Sequence, residues 1–231
     1  MARVLHKAPS PFESIYEGVK GLELADSIAG DAHKLFNVPY DCGIFFSKHL
    51  EIATSVFQNA GAAYLASSGS LDSIASPLNV GIENSRRFRA LPLYATLHTY
   101  GLEGYRKMLV RQISTARNIA RVIMLHEAFE LLPIKREPTL DPSLPQGVDK
   151  FEDVYIIVLF SAKDNSLNKV LVSRINKTGK IYVSGTSWEG RQAARIAVAN
   201  WQVEPQAQTA VVSTTLDLVW AEWNTNSMYR A

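Results

Sequence analysis

Apolar positions recur along this chain at spacings that change from one segment to the next. After Pro9-Ser10-Pro11, Phe12, Ile15, Tyr16, Val19 and Leu22 return at helical spacing until Gly21 weakens the pattern, which predicts a short surface helix at most within residues 8–24. Residues 24–29 read as a brief strand and Gly43-Ile44-Phe45-Phe46-Ser47 as a buried one, so Lys34 falls on a turn between two strands. Residues 58–82 are rich in Ala, Ser and Gly with little periodicity, the texture of a long functional or disordered loop, with Tyr64 in its middle. Pro92 suits a first helical turn, and Leu93, Leu97 and Tyr100 give one apolar face before Gly101 and Gly104 interrupt it. Tyr105, Met108, Leu109, Ile113, Ala116, Ile119, Ala120 and Ile123 then keep helical spacing to about Ala128, predicting a long helix that links two domains.

Beyond that helix the period shortens. Phe129-Glu-Leu-Leu132 reads as a short strand, 133–150 as a Pro-rich polar connection, and 154–160 as a buried strand by its β-branched content. Leu167, Val170, Leu171 and Ile175 mark an amphipathic helix that Gly179 ends with a left-handed cap. Residues 181–184 and the alternating Ala194, Ile196 and Val198 give two more strands, and Val212, Leu216, Val219 and Trp223 a closing helix. The order strand, strand, helix, strand, strand, helix is that of a small α/β sandwich domain.

Composition narrows the function class. With 231 residues, 47% hydrophobic and a formal net charge of +2, the chain can bury a sizeable core and carries no strong field for nucleic acid or an anionic membrane. The single Cys42 excludes an intrachain disulfide and a cysteine-rich metal site, which suits a reducing compartment. The longest apolar run, 154–160, is too short to span a bilayer, and no signal peptide follows Met1, so a cytoplasmic location is expected.

The candidate chemistry centres on one amine. Lys34 follows His33, precedes Leu35-Phe36, and is succeeded by Asn37, Pro39 and Gly43, which bend the chain. A lysine so placed is expected to be partly withdrawn from water; desolvation favours the neutral amine, which attacks an aldehyde to form a Schiff base. A solvated surface lysine is the plain alternative.

Asp26-Ser27, Asp31-Ala32-His33-Lys34 and Asn37-Val38-Pro39-Tyr40-Asp41-Cys42-Gly43 together resemble the cofactor-lysine motif of the pyridoxal-phosphate group II decarboxylases, which act on aromatic amino acids, glutamate or cysteine sulfinate. Ala32 stands where Gly or Pro is common, and Leu35-Phe36 where Trp-Leu is common; neither change removes a group the Schiff base needs. Glu83-Asn-Ser-Arg-Arg-Phe-Arg89 resembles the family's segment before a long helix, and Ser184-Gly-Thr-Ser-Trp188-Glu-Gly190 its carboxy-terminal domain.

The resemblance implies a fold type I pyridoxal-phosphate enzyme of α/β class. Residues 1–115 would be the later part of the cofactor-binding large domain, and 116–231 the linking helix and the carboxy-terminal small α/β domain. It implies pyridoxal 5'-phosphate held by Lys34, His33 against the phosphate or the imine, and Tyr64 as the proton donor after carbon dioxide leaves. Ser85 would reach the phosphate of a neighbouring subunit in a homodimer. Arg86, Arg87 and Arg89 could pair with a phosphate or with structural acids. The family's stacking histidine, phosphate loop and ring-nitrogen aspartate precede the lysine, and residues 1–24 are not expected to supply them. Asp26 and Asp31 are too near the lysine for the aspartate's role, and a carboxylate there should lie beside the imine instead. Three readings follow: a decarboxylase of which this sequence is a fragment, an inactive remnant that still dimerises, and an α/β interaction protein with a solvated Lys34.

Overall fold

The computed structural model describes residues 12–57, 81–83, 85–133 and 151–228; Tyr64 and residues 134–150 lie outside these. By contact the chain forms two units. One is Lys20–Gly101, and the other joins Leu102–Ala231 to the described residues before Lys20. That division falls ahead of the 115/116 domain boundary expected from the family.

In the first unit, a 3₁₀ turn at Leu22–Leu24 follows Gly21, whose φ of 90° suits a residue without Cβ. The turn consumes the start of the strand expected at 24–29, so β1 is Ser27–Asp31. A single helical turn, α2 (Ala32–Leu35), carries Lys34, which thus lies on a turn between two strands as expected. The strand expected at 43–47 is present as β2, Gly43–Ser47, antiparallel to β1 with Ile28 opposite Phe46 and Gly30 opposite Ile44. It is not buried: Phe45 is 61% and Phe46 63% exposed, on opposite faces of the ribbon. α3 (Leu50–Phe57) follows.

The two helices expected around residues 92–128 are present within Ala90–Leu125, labelled α4 throughout, and are separated at Gly101, whose φ of 56° and ψ of −175° leave the helical region. Gly104, expected to interrupt as well, is helical. Preceding all of these, α1 is Glu13–Glu17, and its flanking Phe12 packs on Leu109 and Ile113 of α4 within the second unit.

The second unit's sheet has the order β3-β4-β6-β5, every neighbouring pair antiparallel. β3 is Phe129–Leu132, β4 Ile157–Ala162, β5 Ser184–Trp188 and β6 Arg191–Ala197. With α5 (Asn165–Lys177) and α6 (Pro205–Met228) they follow the expected order of elements. Phe129, Phe160, Leu167, Leu171, Ile175 and Leu216 are at the centre of the core. The strand expected at 154–160 starts later, and that expected at 181–184 is displaced to β5. In the second case the cause is visible: the Asn176 side chain donates to the Val183 carbonyl at 2.9 Å and accepts from its N–H at 2.8 Å, so both backbone groups are satisfied without a ladder. Asn168 does the same between elements, accepting from Ala162 N–H and donating to the Gln192 carbonyl.

α5 begins on Asp164, whose carboxylate accepts from the N–H groups of Ser166 and Leu167. Those bonds hold its pKa below the ordinary value, with the Leu167 N–H as the largest cause. Asp164→Ala is expected to cost about 1 kcal/mol in urea unfolding at neutral pH. A carboxyl with a depressed folded-state pKa stabilises above its unfolded value, roughly pH 4, and loses that contribution as pH falls through the folded value. The gap between variant and wild type should therefore close only under acid; a gap that persists unchanged there would rule out the cap as its source.

Candidate active site

The first unit builds its small core around the lysine's own turn. Ala32, Val38 and Cys42 are buried together, with Phe36, Ile44 and Leu93 packed on them. Ala32 N–H donates to the Cys42 carbonyl at 2.8 Å. His33 faces inward onto the same residue: its Nδ1 lies 3.2 Å from both the Cys42 carbonyl oxygen and the Cys42 N–H nitrogen, donating or accepting according to tautomer. Its ring also packs on Tyr40, 4.1 Å between centroids. Asn37 turns the chain with φ of 54°, a left-handed conformation asparagine tolerates, and donates to the Tyr100 hydroxyl at 3.3 Å.

Arg89 fastens the far side of this loop. Its guanidinium donates to Asp41 and Glu83, each at 3.2 Å, and its carbonyl lies 3.8 Å from Cys42 Sγ. The Asp41 carboxyl is held below the ordinary range, chiefly by the Arg89 hydrogen bond. Of the arginine cluster, Arg89 is thus committed to structural acids. Arg89→Ala is expected to loosen the segment around Asp41 and Cys42, read as faster hydrogen exchange at residues 38–43 with residues 157–162 unchanged; equal protection in both proteins would show the pairing to be idle.

Against this anchored background, Lys34 stands in the open. Its side chain is 67% exposed and its Nζ lies 2.6 Å from Asp31 Oδ2. The withdrawal from water expected from the sequence is therefore corrected. β1 ahead of the lysine is exposed along its length, and Phe45 and Phe46 of β2 are exposed as well, so these residues leave the amine to solvent. Asp31's carboxyl is held below its usual value, first by the hydrogen bond from Lys34. Lys34 and His33 are brought together on α2 but face differently, the imidazole inward and the amine outward. Ser85 is exposed on the segment before α4 and, among the described residues, makes no hydrogen bond to either.

A solvent-facing primary amine beside a fixed imidazole suits an aldehyde cofactor, and the comparisons fix which. Residues 11–140 match the pyridoxal-dependent decarboxylase conserved domain. The chain belongs to that family. Pyridoxal phosphate is the family's cofactor, and Lys34 and His33 lie inside the matched segment. Aromatic-L-amino-acid decarboxylase of Manduca sexta is 29% identical over 184 residues, covering 79% of this chain and 32% of the relative. 3,4-Dihydroxyphenylacetaldehyde synthase of Aedes aegypti is 26% identical, covering 88% and 34%. The crystal structure of Oryza sativa TDC with PLP and tryptamine shares the fold, with a TM-score of 0.71 at 21% identity over 94% of this chain and 42% of that one. The chain therefore spans about a third of the length of the curated relatives it matches.

The carboxylate expected beside the lysine nitrogen, from Asp26 or Asp31, is Asp31: three residues apart across a strand end and a helical turn, the two side chains are neighbours.

Proposed function

We propose that this chain is the lysine-bearing later part of a pyridoxal-phosphate-dependent decarboxylase that converts an L-amino acid to its amine and carbon dioxide. In this reading residues 1–115 belong to the cofactor-binding large domain, and 116–231 form the linking helix and small domain of a cytoplasmic homodimer. The observation that carries the proposal is the placement of Lys34: an accessible amine on a one-turn helix whose neighbouring backbone is pinned by Cys42, within the segment that matches the family.

When bound, pyridoxal phosphate supplies the electron sink for decarboxylation. The roles of the chain's own residues are those the family resemblance implies. Lys34 Nζ would form the covalent attachment to the cofactor aldehyde, and α2 fixes where that nitrogen can reach. His33, one residue before the attachment point, is held through Nδ1 on the Cys42 backbone and would contact the phosphate or orient the imine. Ser85 would reach the phosphate in the partner subunit's site. Tyr64 would supply a hydroxyl proton after carbon dioxide leaves. The Aedes aegypti relative is an aldehyde synthase, and amine release is what separates the two outcomes.

The competing reading is an inactive remnant that still dimerises. It is favoured by the exposure of Phe45 and Phe46 on opposite faces of β2, apolar surface that association would cover. As purified residues 1–231, the chain is expected to show weak or no imine absorbance with added pyridoxal phosphate, because the remaining walls of the site would come from polypeptide outside it. The deciding experiment uses the polypeptide as the cell makes it: borohydride reduction, peptide mapping, and assays of amine and carbon dioxide from aromatic and acidic L-amino acids. A pyridoxyl group on Lys34 with amine release supports the decarboxylase. A label elsewhere, or none, overturns it, and a label without turnover selects the remnant. Tyr64→Phe in the same polypeptide is expected to leave the Lys34 label intact and lower amine formation by on the order of 10²–10⁴-fold. Unchanged amine production would remove Tyr64 from the mechanism.

A further inference from the structure

The contact between Asp31 and Lys34 is not used by the chemistry above. Asp31 ends β1 and Lys34 lies on α2, so their ion pair of 2.6 Å spans the junction that Cys42 holds from the other side. The Asp31 carboxyl is held below its ordinary value, chiefly by the hydrogen bond from Lys34 and least by the charge of His33. An ammonium bonded to that carboxylate has no lone pair to offer a carbonyl. Forming an imine requires the nitrogen to give a proton to solvent, place its lone pair in a new C–N bond to the aldehyde carbon, and expel the carbonyl oxygen as water. Asp31 gains and loses nothing in this balance; it competes for the nitrogen before the first step.

We propose that Asp31 is a positioning residue that holds the Lys34 nitrogen at the β1–α2 junction in the resting chain and must release it before the nitrogen can attack a carbonyl. The inference rests on Lys34 being the cofactor lysine. It explains why a carboxylate sits beside the amine without serving the cofactor ring. It also makes the pair a brake on attachment, one that an arriving aldehyde must displace.

The test is reductive alkylation of the 231-residue chain with glycolaldehyde, a small uncharged probe. Cyanoborohydride supplies the hydride that reduces each imine to a stable amine. Initial rates are read by peptide mass spectrometry at Lys34 and at the exposed Lys180, which serves as an internal reference. Asp31→Asn is expected to raise the Lys34-to-Lys180 ratio about two- to fivefold, the range an exposed ion pair supports. Asp31→Glu should return the ratio toward wild type, which a purely steric role would not do. Added salt should raise the ratio in wild type by screening the pair and leave it unchanged in Asp31→Asn. An equal ratio in wild type and Asp31→Asn overturns the inference. So does a wild-type ratio indifferent to salt, a measurement that needs no variant to fold. Failure to find the pyridoxyl group on Lys34 in the cell-made polypeptide strikes the decarboxylase reading itself, whereas an unchanged alkylation ratio strikes only the role of Asp31.

Discussion

Replacing Lys34 with arginine in the polypeptide as the cell makes it is expected to abolish the pyridoxyl label and to lower amine formation by on the order of 10³-fold or more, the scale seen when a covalent catalyst is removed. Arginine separates charge from nucleophilicity. Its guanidinium preserves the positive charge and can still pair with Asp31, yet it stays protonated at every pH a protein survives and has no free lone pair for a carbonyl. Lys34→Ala should fail equally, showing that the loss follows the missing amine and not the altered charge at the β1–α2 junction. Circular dichroism should be unchanged in both variants, because the exposed Lys34 side chain contributes nothing to the core of Ala32, Val38 and Cys42. Half or more of wild-type turnover in the arginine variant would place the covalent attachment on another residue.

The second large effect concerns stability. Phe160 is fully buried at the centre of the four-stranded sheet and meets Phe129 edge to face at 6.0 Å between ring centroids. Phe160→Ala removes a large side chain from a place where β3, β4 and α5 leave little freedom to collapse, so about 3–5 kcal/mol of stability should go. Against a domain's usual 5–15 kcal/mol that is a large share. Urea unfolding followed by far-UV circular dichroism should show a lower midpoint with an unchanged slope, as expected when the amount of surface exposed is preserved. Tyr182, 83% exposed, is the control: Tyr182→Ala should stay within about 0.5 kcal/mol of wild type. Equal effects at the two positions would mean that the predicted core is not the stabilising one.

How much could be read in advance differs between the two units, and particular residues show why. In the second unit the sequence carries its own instructions. α4 beyond Gly101 repeats an apolar stripe from Tyr105 to Ile123, α5 has Asp164 at its start and Gly179 with φ of 67° just past its end, and β6 alternates about Ala194 and Ile196. The misplaced strand at 181–184 is instructive. Tyr182 and Val183 have strand-like side chains, but the Asn176 amide satisfies the backbone of Val183 and so moves pairing to Ser184–Trp188. No local pattern announces a bond from a helical side chain to a residue seven positions on.

In the first unit, the chemical identity of the site was legible and its environment was not. The run from Asp31 to Gly43 named the amine, the imidazole and the bend, because residue types at fixed spacing survive in sequence as such. Burial is not of that kind. Gly43-Ile44-Phe45-Phe46-Ser47 reads as buried because it is apolar on both faces, as strands of a doubly covered sheet are, yet Phe45 and Phe46 are exposed in this chain.

The sequence alone determined which groups are available: a lysine next to a histidine, the order of strands and helices in the small domain, and the membership in a pyridoxal-dependent family that those residues announce. Only the tertiary structure decided how they are used. Turning His33 onto the Cys42 backbone, sending Arg89 to Asp41 and Glu83, and placing Asp31 against Lys34 all depend on distances between segments brought together by folding, and a linear pattern of residue types does not contain such distances.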